Sequence, residues 1–230
     1  MQMEKYSYLI TLLVAVLFPI AYSFDKRVRF YTKWKPLFIA TIIPATFFIV
    51  WDIYFAKQGI WSFNDHYILG FRLMGLPLEE WLFFIVIPYC SIFVYEVIKS
   101  YFSTLDYNEI LFWLLILLVF VFQTVALIHF HRNYTFWNFT FNAVFLVFLL
   151  LNSWFLKQLT YLVVTFVICL IPMMVVNGIL TGLPIVEYDN SQIIGIKTFS
   201  IPFEDFFYYF LLLMMNLLLY ERQLRSKKIK

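Results

Sequence analysis

Two short stretches carry most of the chemistry this chain could perform. Pro77-Leu78-Glu79-Glu80 opens the segment GLPLEEWLFFIVIPY, and Pro202-Phe203-Glu204-Asp205 opens a second, similar segment. Each sets two adjacent acids at the mouth of a lipid-compatible run, where insertion scales charge roughly 2.5–3.5 kcal/mol for a central charge. Proline followed by acids is also an ordinary helix start, because proline suits the first turn and carboxylates suit the positive end of the helix dipole. If the pairs converge, one carboxyl group can be a proton donor while an ionised neighbour is an acceptor. Helical spacing sets Glu79 on a face with Phe83, and Glu80 with Phe83 and Phe84; Glu204 shares a face with Tyr208, and Asp205 with Tyr208 and Tyr209. Electron-rich ring faces stabilise cations. An acid, a base and a dry aromatic enclosure suit alkene protonation, cyclisation through a carbocation, then proton loss, with water excluded so that the cation is not captured as an alcohol. The same residues also fit a proton-coupled transporter.

The elements that position these acids follow from composition. Of 230 residues, 63% are hydrophobic, 23% aromatic and 13% charged, where soluble domains carry about 25% charged. The chain is read as an integral membrane protein. Its net charge of +3 sits in short connecting segments, so no nucleic-acid partner is expected. Cys90 and Cys169 fall inside apolar runs and are expected to be buried thiols. The first apolar run is followed, not preceded, by basic residues, so it is expected to remain in the membrane. No G-x-G-x-x-G fingerprint occurs, and His129 and His131 lack companion ligands. No cofactor and no metal are expected.

Seven spans are expected, near 6–24, 37–56, 78–98, 110–128, 137–156, 159–180 and 203–220. With the N-terminus outside, the cytoplasmic segments hold Lys26, Arg27, Arg29, Lys33, Lys35, Lys99, Lys157, Arg222, Arg225, Lys227, Lys228 and Lys230. The outer segments hold only Lys5, Lys57, Arg72, Arg132 and Lys197, so the basic bias favours N-outside and C-inside. Both acid pairs then lie at outer mouths. A shift of 125 residues aligns them without a gap: Asp52 falls on Asn177, Gly70 on Gly195, Arg72 on Lys197, Phe84 on Tyr209, and Tyr95-Glu96 on Tyr220-Glu221. The fold class is therefore all-α, a polytopic membrane bundle of two parallel three-helix repeats, 1–100 and 131–230, joined by a connector helix in 101–130. Asp52 is a candidate partner of the acids or a structural polar contact between helices, and Arg72 is expected to lie near them.

With its duplicated Pro-x-Glu-Glu and Pro-x-Glu-Asp motif and its helix count, the chain resembles the membrane-integral, non-flavin lycopene cyclases of the heterodimeric type, in their fused single-chain form. That resemblance implies closure of the linear ψ ends of lycopene to β rings without net redox change, and no cofactor. It implies functional roles for Pro77, Glu79, Glu80, Pro202, Glu204 and Asp205. The carotenoid lycopene is the implied partner, with membrane lipid around it and other carotenoid-pathway enzymes as candidate neighbours; a bacterial inner membrane is the expected setting. Asp205, shorter than Glu, leaves open which unit supplies the acid. The alternative is a small-solute carrier of the SWEET type, which shares the three-one-three layout. A retinal-type photoreceptor is excluded because 203–220 contains no lysine for a Schiff base.

Overall fold

The structure, a computed structural model, describes residues 3–102, 105 and 107–228. Its apolar runs form seven helices long and apolar enough to cross a membrane: α1 (Ser7–Tyr22), α2 (Trp34–Lys57), α3 (Leu78–Tyr101), α4 (Glu109–Ile128), α5 (Asn133–Leu151), α6 (Leu159–Gly182) and α7 (Phe203–Lys228). They differ in how much they bury. The apolar window is 72% buried in α7 and 56% in α3, but only 22% in α1 and 17% in α4. The two helices that begin with acid pairs are thus the most enclosed, and α4 is largely left to lipid.

Two helices depart from their expected bounds, for reasons visible in their polar residues. The fifth begins at Asn133, not 137, because its polar residues turn inward. Asn138 Nδ2 donates to the Glu204 carbonyl at 2.7 Å and Asn142 Nδ2 to the Phe207 carbonyl at 2.9 Å. It stops at Leu151, where Asn152 folds its amide back to the Phe148 carbonyl at 2.6 Å. The seventh runs past 220 because Glu221 is buried among partners instead of meeting water.

The connections beside the acid pairs are not helical. After α2 comes β1 (Trp61–Phe63), then the hairpin β2 (Arg72–Leu73) and β3 (Leu76–Pro77); after α6 comes β4 (Val186–Tyr188), then β5 (Lys197–Thr198) and β6 (Ile201–Pro202). β1 and β4 pair antiparallel, with Trp61 opposite Tyr188, Ser62 opposite Glu187 and Phe63 opposite Val186. The β2–β3 turn has positive φ at both Met74 (54°) and Gly75 (93°), the combination a two-residue hairpin of matching twist requires.

At the opposite end, α3 and α7 clasp each other. Tyr220 OH donates to Glu96 Oε1 at 2.7 Å, and Tyr95 OH lies 2.7 Å from Glu221 Oε1. Lys33 pairs with Glu96, and Lys99 Nζ reaches Glu221 at 2.7 Å. A buried carboxylate stripped of a donor keeps its desolvation penalty. Tyr220→Phe should therefore remove about 1.5–3 kcal/mol, the range for hydrogen bonds to charged groups. The expected reading is earlier thermal unfolding of the detergent-solubilised protein; an unshifted transition would deny the clasp a stabilising role.

Candidate active site

Consecutive helix residues project about 100° apart, so the two acids of each pair cannot face the same way. The first of each pair turns to its own loop. Glu79 Oε1 accepts the Leu69 amide at 2.7 Å, and Glu204 Oε1 accepts the Ile194 amide at 2.6 Å together with Thr135 Oγ1 at 2.6 Å. Both glutamates are fully buried. Leu69 and Ile194 each lie ten residues ahead of their glutamate, so the contact fixes the connecting loop onto the start of α3 or α7.

The second acid of each pair faces inward. Tyr8 OH donates to Glu80 Oε2 at 2.6 Å, and Tyr134 OH to Asp205 Oδ1 at 2.7 Å. Asp205 Oδ2 takes Tyr188 OH at 3.0 Å and the Asn177 amide at 3.4 Å. Asp52, on α2, accepts Tyr208 OH at 2.7 Å and lines the same cavity as Glu80. Asp52, Glu80 and Asp205 line one cavity of about 50 Å³ with Tyr8, Trp61, Phe83, Tyr134, Tyr188 and Tyr208. One water-sized group needs roughly 10–15 Å³ on that scale, so this chamber takes only the tip of a larger ligand, the rest lying in adjoining space.

Strand alternation builds its roof. Trp61, Phe63, Val186 and Tyr188 line the chamber, while Ser62 and Glu187 between them are exposed. Tyr134 stacks on Tyr188 with ring centroids 5.7 Å apart and meets Trp61 edge-on at 5.2 Å. Burial, and next the Asp205 carboxylate beside it, push the Tyr188 hydroxyl well above the usual phenol range, so Tyr188 stays a donor. Below the roof an apolar groove of about 540 Å³ between α1, α3, α6 and α7 adjoins the chamber, with Phe83, Asn177, Asp205 and Tyr208 common to both. Its rim residues Val14, Phe18 and Val175 are exposed, so the groove opens sideways, toward lipid.

Of the residues expected from sequence, Glu80, Asp205, Asp52, Asn177, Phe83 and Tyr208 converge on the chamber, and Tyr209 lines the groove, bonded to Ser91 at 2.9 Å. Glu79 and Glu204 support the loops instead. Phe84 does not reach either space; it is fully buried against Phe48, with centroids 5.7 Å apart. Arg72 turns away from the acids to Asp65 at 2.8 Å and to the carbonyls of Phe63 and Gly75, and Lys197 turns to Asn190. Each cation ties a loop together, which a guanidinium fork among carbonyls does well. Pro77 and Pro202 close their hairpins opposite Arg72 and Lys197. Sequence reasoning missed Tyr8, Tyr134, Tyr188 and Trp61. Tyr8 and Tyr134 are 126 residues apart, one off the ungapped shift, although the inward polar stripe Thr135, Asn138 and Asn142 marked the inward face of the helix that carries Tyr134. Among the described residues, no group of three or more His, Cys, Asp or Glu side chains could hold a metal ion.

A family model described as lycopene cyclase matches residues 5–98 and 131–222. Similar curated proteins are fungal bifunctional lycopene cyclase/phytoene synthases. That of Leptosphaeria maculans is 42% identical over 68 residues and that of Phaeosphaeria nodorum 37% over 67, each match covering 29% of this chain and 11% of the relative. That of Podospora anserina is 34% identical over 90 residues, covering 38% of this chain and 14% of the relative. The matched part is therefore a small fraction of those longer proteins. No solved structure matches.

The loop-stapling glutamates give a direct expectation. Glu79→Ala frees the Leu69 amide and Glu204→Ala the Ile194 amide, each losing a charge-assisted bond of about 1.5–3 kcal/mol. Hydrogen–deuterium exchange in 64–76 or 189–200 should rise roughly tenfold or more. Glu79→Gln, which keeps an acceptor oxygen, should stay near the parent rate. Unchanged exchange in both alanine variants would remove this role.

Proposed function

Because this chain belongs to the lycopene cyclase family, we propose that it is an intramembrane isomerase that closes rings on the linear ends of a carotenoid, lycopene being the substrate and β rings the product. One observation carries the reading: Glu80 and Asp205, from equivalent places in the two motifs, line one small aromatic chamber adjoining a groove that opens toward lipid.

Glu80 donates the initiating proton, and Asp52 lines the same chamber. The terminal alkene supplies the electron pair for the new C–H bond, leaving a cation on its more substituted carbon. A neighbouring double bond attacks that cation, forming the ring C–C bond and moving the positive charge into the ring. Asp205 then takes a ring proton, and the electrons of that C–H bond become the ring double bond. One proton enters and one leaves, so no redox partner is required. The ring faces of Phe83, Trp61, Tyr134 and Tyr208 surround the charge and exclude water. Tyr134, Tyr188 and Asn177 orient the acceptor carboxylate, and Tyr8 orients Glu80. Glu79 and Glu204 act through the loops they hold.

The membrane orientation we propose is N-outside, from the basic residues gathered at the clasp end. Two three-helix units, 1–100 and 131–230, joined through 101–130, are supported by the matching order of helices and hairpins. A transporter reading is not favoured, since the acids lie under a closed roof at one end and the groove opens sideways.

Expression in a lycopene-accumulating bacterial host tests the proposal. The parent chain should convert lycopene to cyclic pigment. Glu80→Gln and Asp205→Asn should each lower ring formation by roughly 100-fold or more, the usual scale of general acid–base catalysis, with protein still present in the membrane. Lycopene left unchanged by the parent chain, or either variant working normally, would overturn the assignment.

A further inference from the structure

The groove has a counterpart that is filled. Tyr8 and Tyr134 both donate to the second acid of a motif, which sets the equivalence of α1 and α5 at 126 residues; α2 and α6 follow the 125-residue shift. On this correspondence, the positions that line the open groove between α1 and α6 can be compared with those between α5 and α2. Ala15 corresponds to Phe141, Met173 to Phe48 and Val176 to Trp51. Phe18 at the groove rim corresponds to the smaller Val144, whereas at these three positions the larger partner lies on the closed side. There Trp51 meets Phe141 at 4.9 Å and Tyr208 at 5.1 Å, and Phe48 meets Tyr208 at 4.8 Å. These rings occupy the space that small side chains leave open on the other side.

The open groove has the dimensions of a partial site. Along α3 it runs from Phe83 to Val94, a rise of about 16 Å at 1.5 Å per residue. That is roughly half the ~30 Å hydrocarbon thickness of a bilayer. A long polyene lying in it with one end in the chamber must leave its remainder among lipid tails.

Resting on the cyclase reading for the identity of the occupant, we propose that the α1–α6 groove is a one-arm site: it binds one arm of a long linear polyene, and the Phe48–Trp51–Phe141 plug denies the second arm an equivalent place. The two ends of a substrate are then processed in separate binding events, with a one-ring compound released between them. Ala15, Met173 and Val176 set the width of this site, and Val14 its lipid-facing rim.

The experiment uses full-length purified protein in lipid nanodiscs. In a Glu80→Gln background, which holds lycopene uncyclised, titration with lycopene should saturate at one polyene per chain, read by absorbance and by quenching of tryptophan fluorescence. Val14→Trp lies at an exposed position and should fold; it should weaken that binding roughly tenfold or more by filling the rim. Val144→Trp, at an exposed position of α5 outside the groove, should leave binding and turnover unchanged. With Glu80 intact and lycopene in excess, free one-ring compound should precede or replace the two-ring compound. Two polyenes per chain, unaltered binding by Val14→Trp, or two-ring product with no free one-ring compound would each overturn the proposal. The two readings fail separately. If the parent chain forms no rings but the Glu80→Gln form binds one polyene that Val14→Trp displaces, the groove stands and the cyclase reading falls. If the parent chain forms rings and Val14→Trp binds and turns over as before, the cyclase reading stands and the groove assignment falls.

Discussion

Burying carboxyl groups in a membrane bundle is tolerable only where each finds donors, and that requirement organises this protein from end to end. Asp52, Glu79, Glu80, Glu204 and Asp205 are buried near one end, and Glu96 and Glu221 at the other. An unpaired buried charge costs several kcal/mol, more than a typical domain can spare. The donors differ with the task. Loop amides hold Glu79 and Glu204, lysines and phenols hold Glu96 and Glu221, and phenols serve Asp52, Glu80 and Asp205. A phenol satisfies a carboxylate without bringing a counter-charge, so the chamber acids are held in place without an ion pair.

That pattern also explains why α3 and α7 are the enclosed helices. Each carries acids at both ends, and such helices cannot lie against lipid on those faces. Their neighbours supply donors: α1 gives Tyr8, α5 gives Tyr134, Thr135 and Asn138, and α2 gives Asp52 its place opposite Tyr208. The peripheral helices α1 and α4 bury least and keep apolar faces for the bilayer.

Much of this was legible in the sequence because it rests on local signals. Apolar runs set the seven helices, and the duplicated motif marked Glu80 and Asp205. The 125-residue shift brought Asp52 and Asn177 into view. What escaped depends on contacts between distant segments. Nothing local in Trp61-Ser62-Phe63 announces pairing with Val186-Glu187-Tyr188. The division of labour within Glu79-Glu80 follows from helix phase, which is readable, but which phase faces the chamber depends on packing. Arg72 was expected near the acids because sequence proximity resembles spatial proximity, yet the hairpin folds it back on Asp65. Hydropathy alone starts the fifth helix near 137, whereas the polar groups ahead of that point and within it turn inward to α7.

The β1–β4 strap has a consequence for how the protein is made. A chain inserted from its N-terminus delivers Asp52, Glu80 and β1 long before β4 or α7 leaves the ribosome. Until then Asp52 has no Tyr208, and nothing roofs the acids. A bilayer receiving the unfinished chain must shelter a polar cavity that only the closing segments can seal. The chamber is therefore complete only once α7 is in place, and a product truncated before residue 186 would lack both its roof and Tyr208.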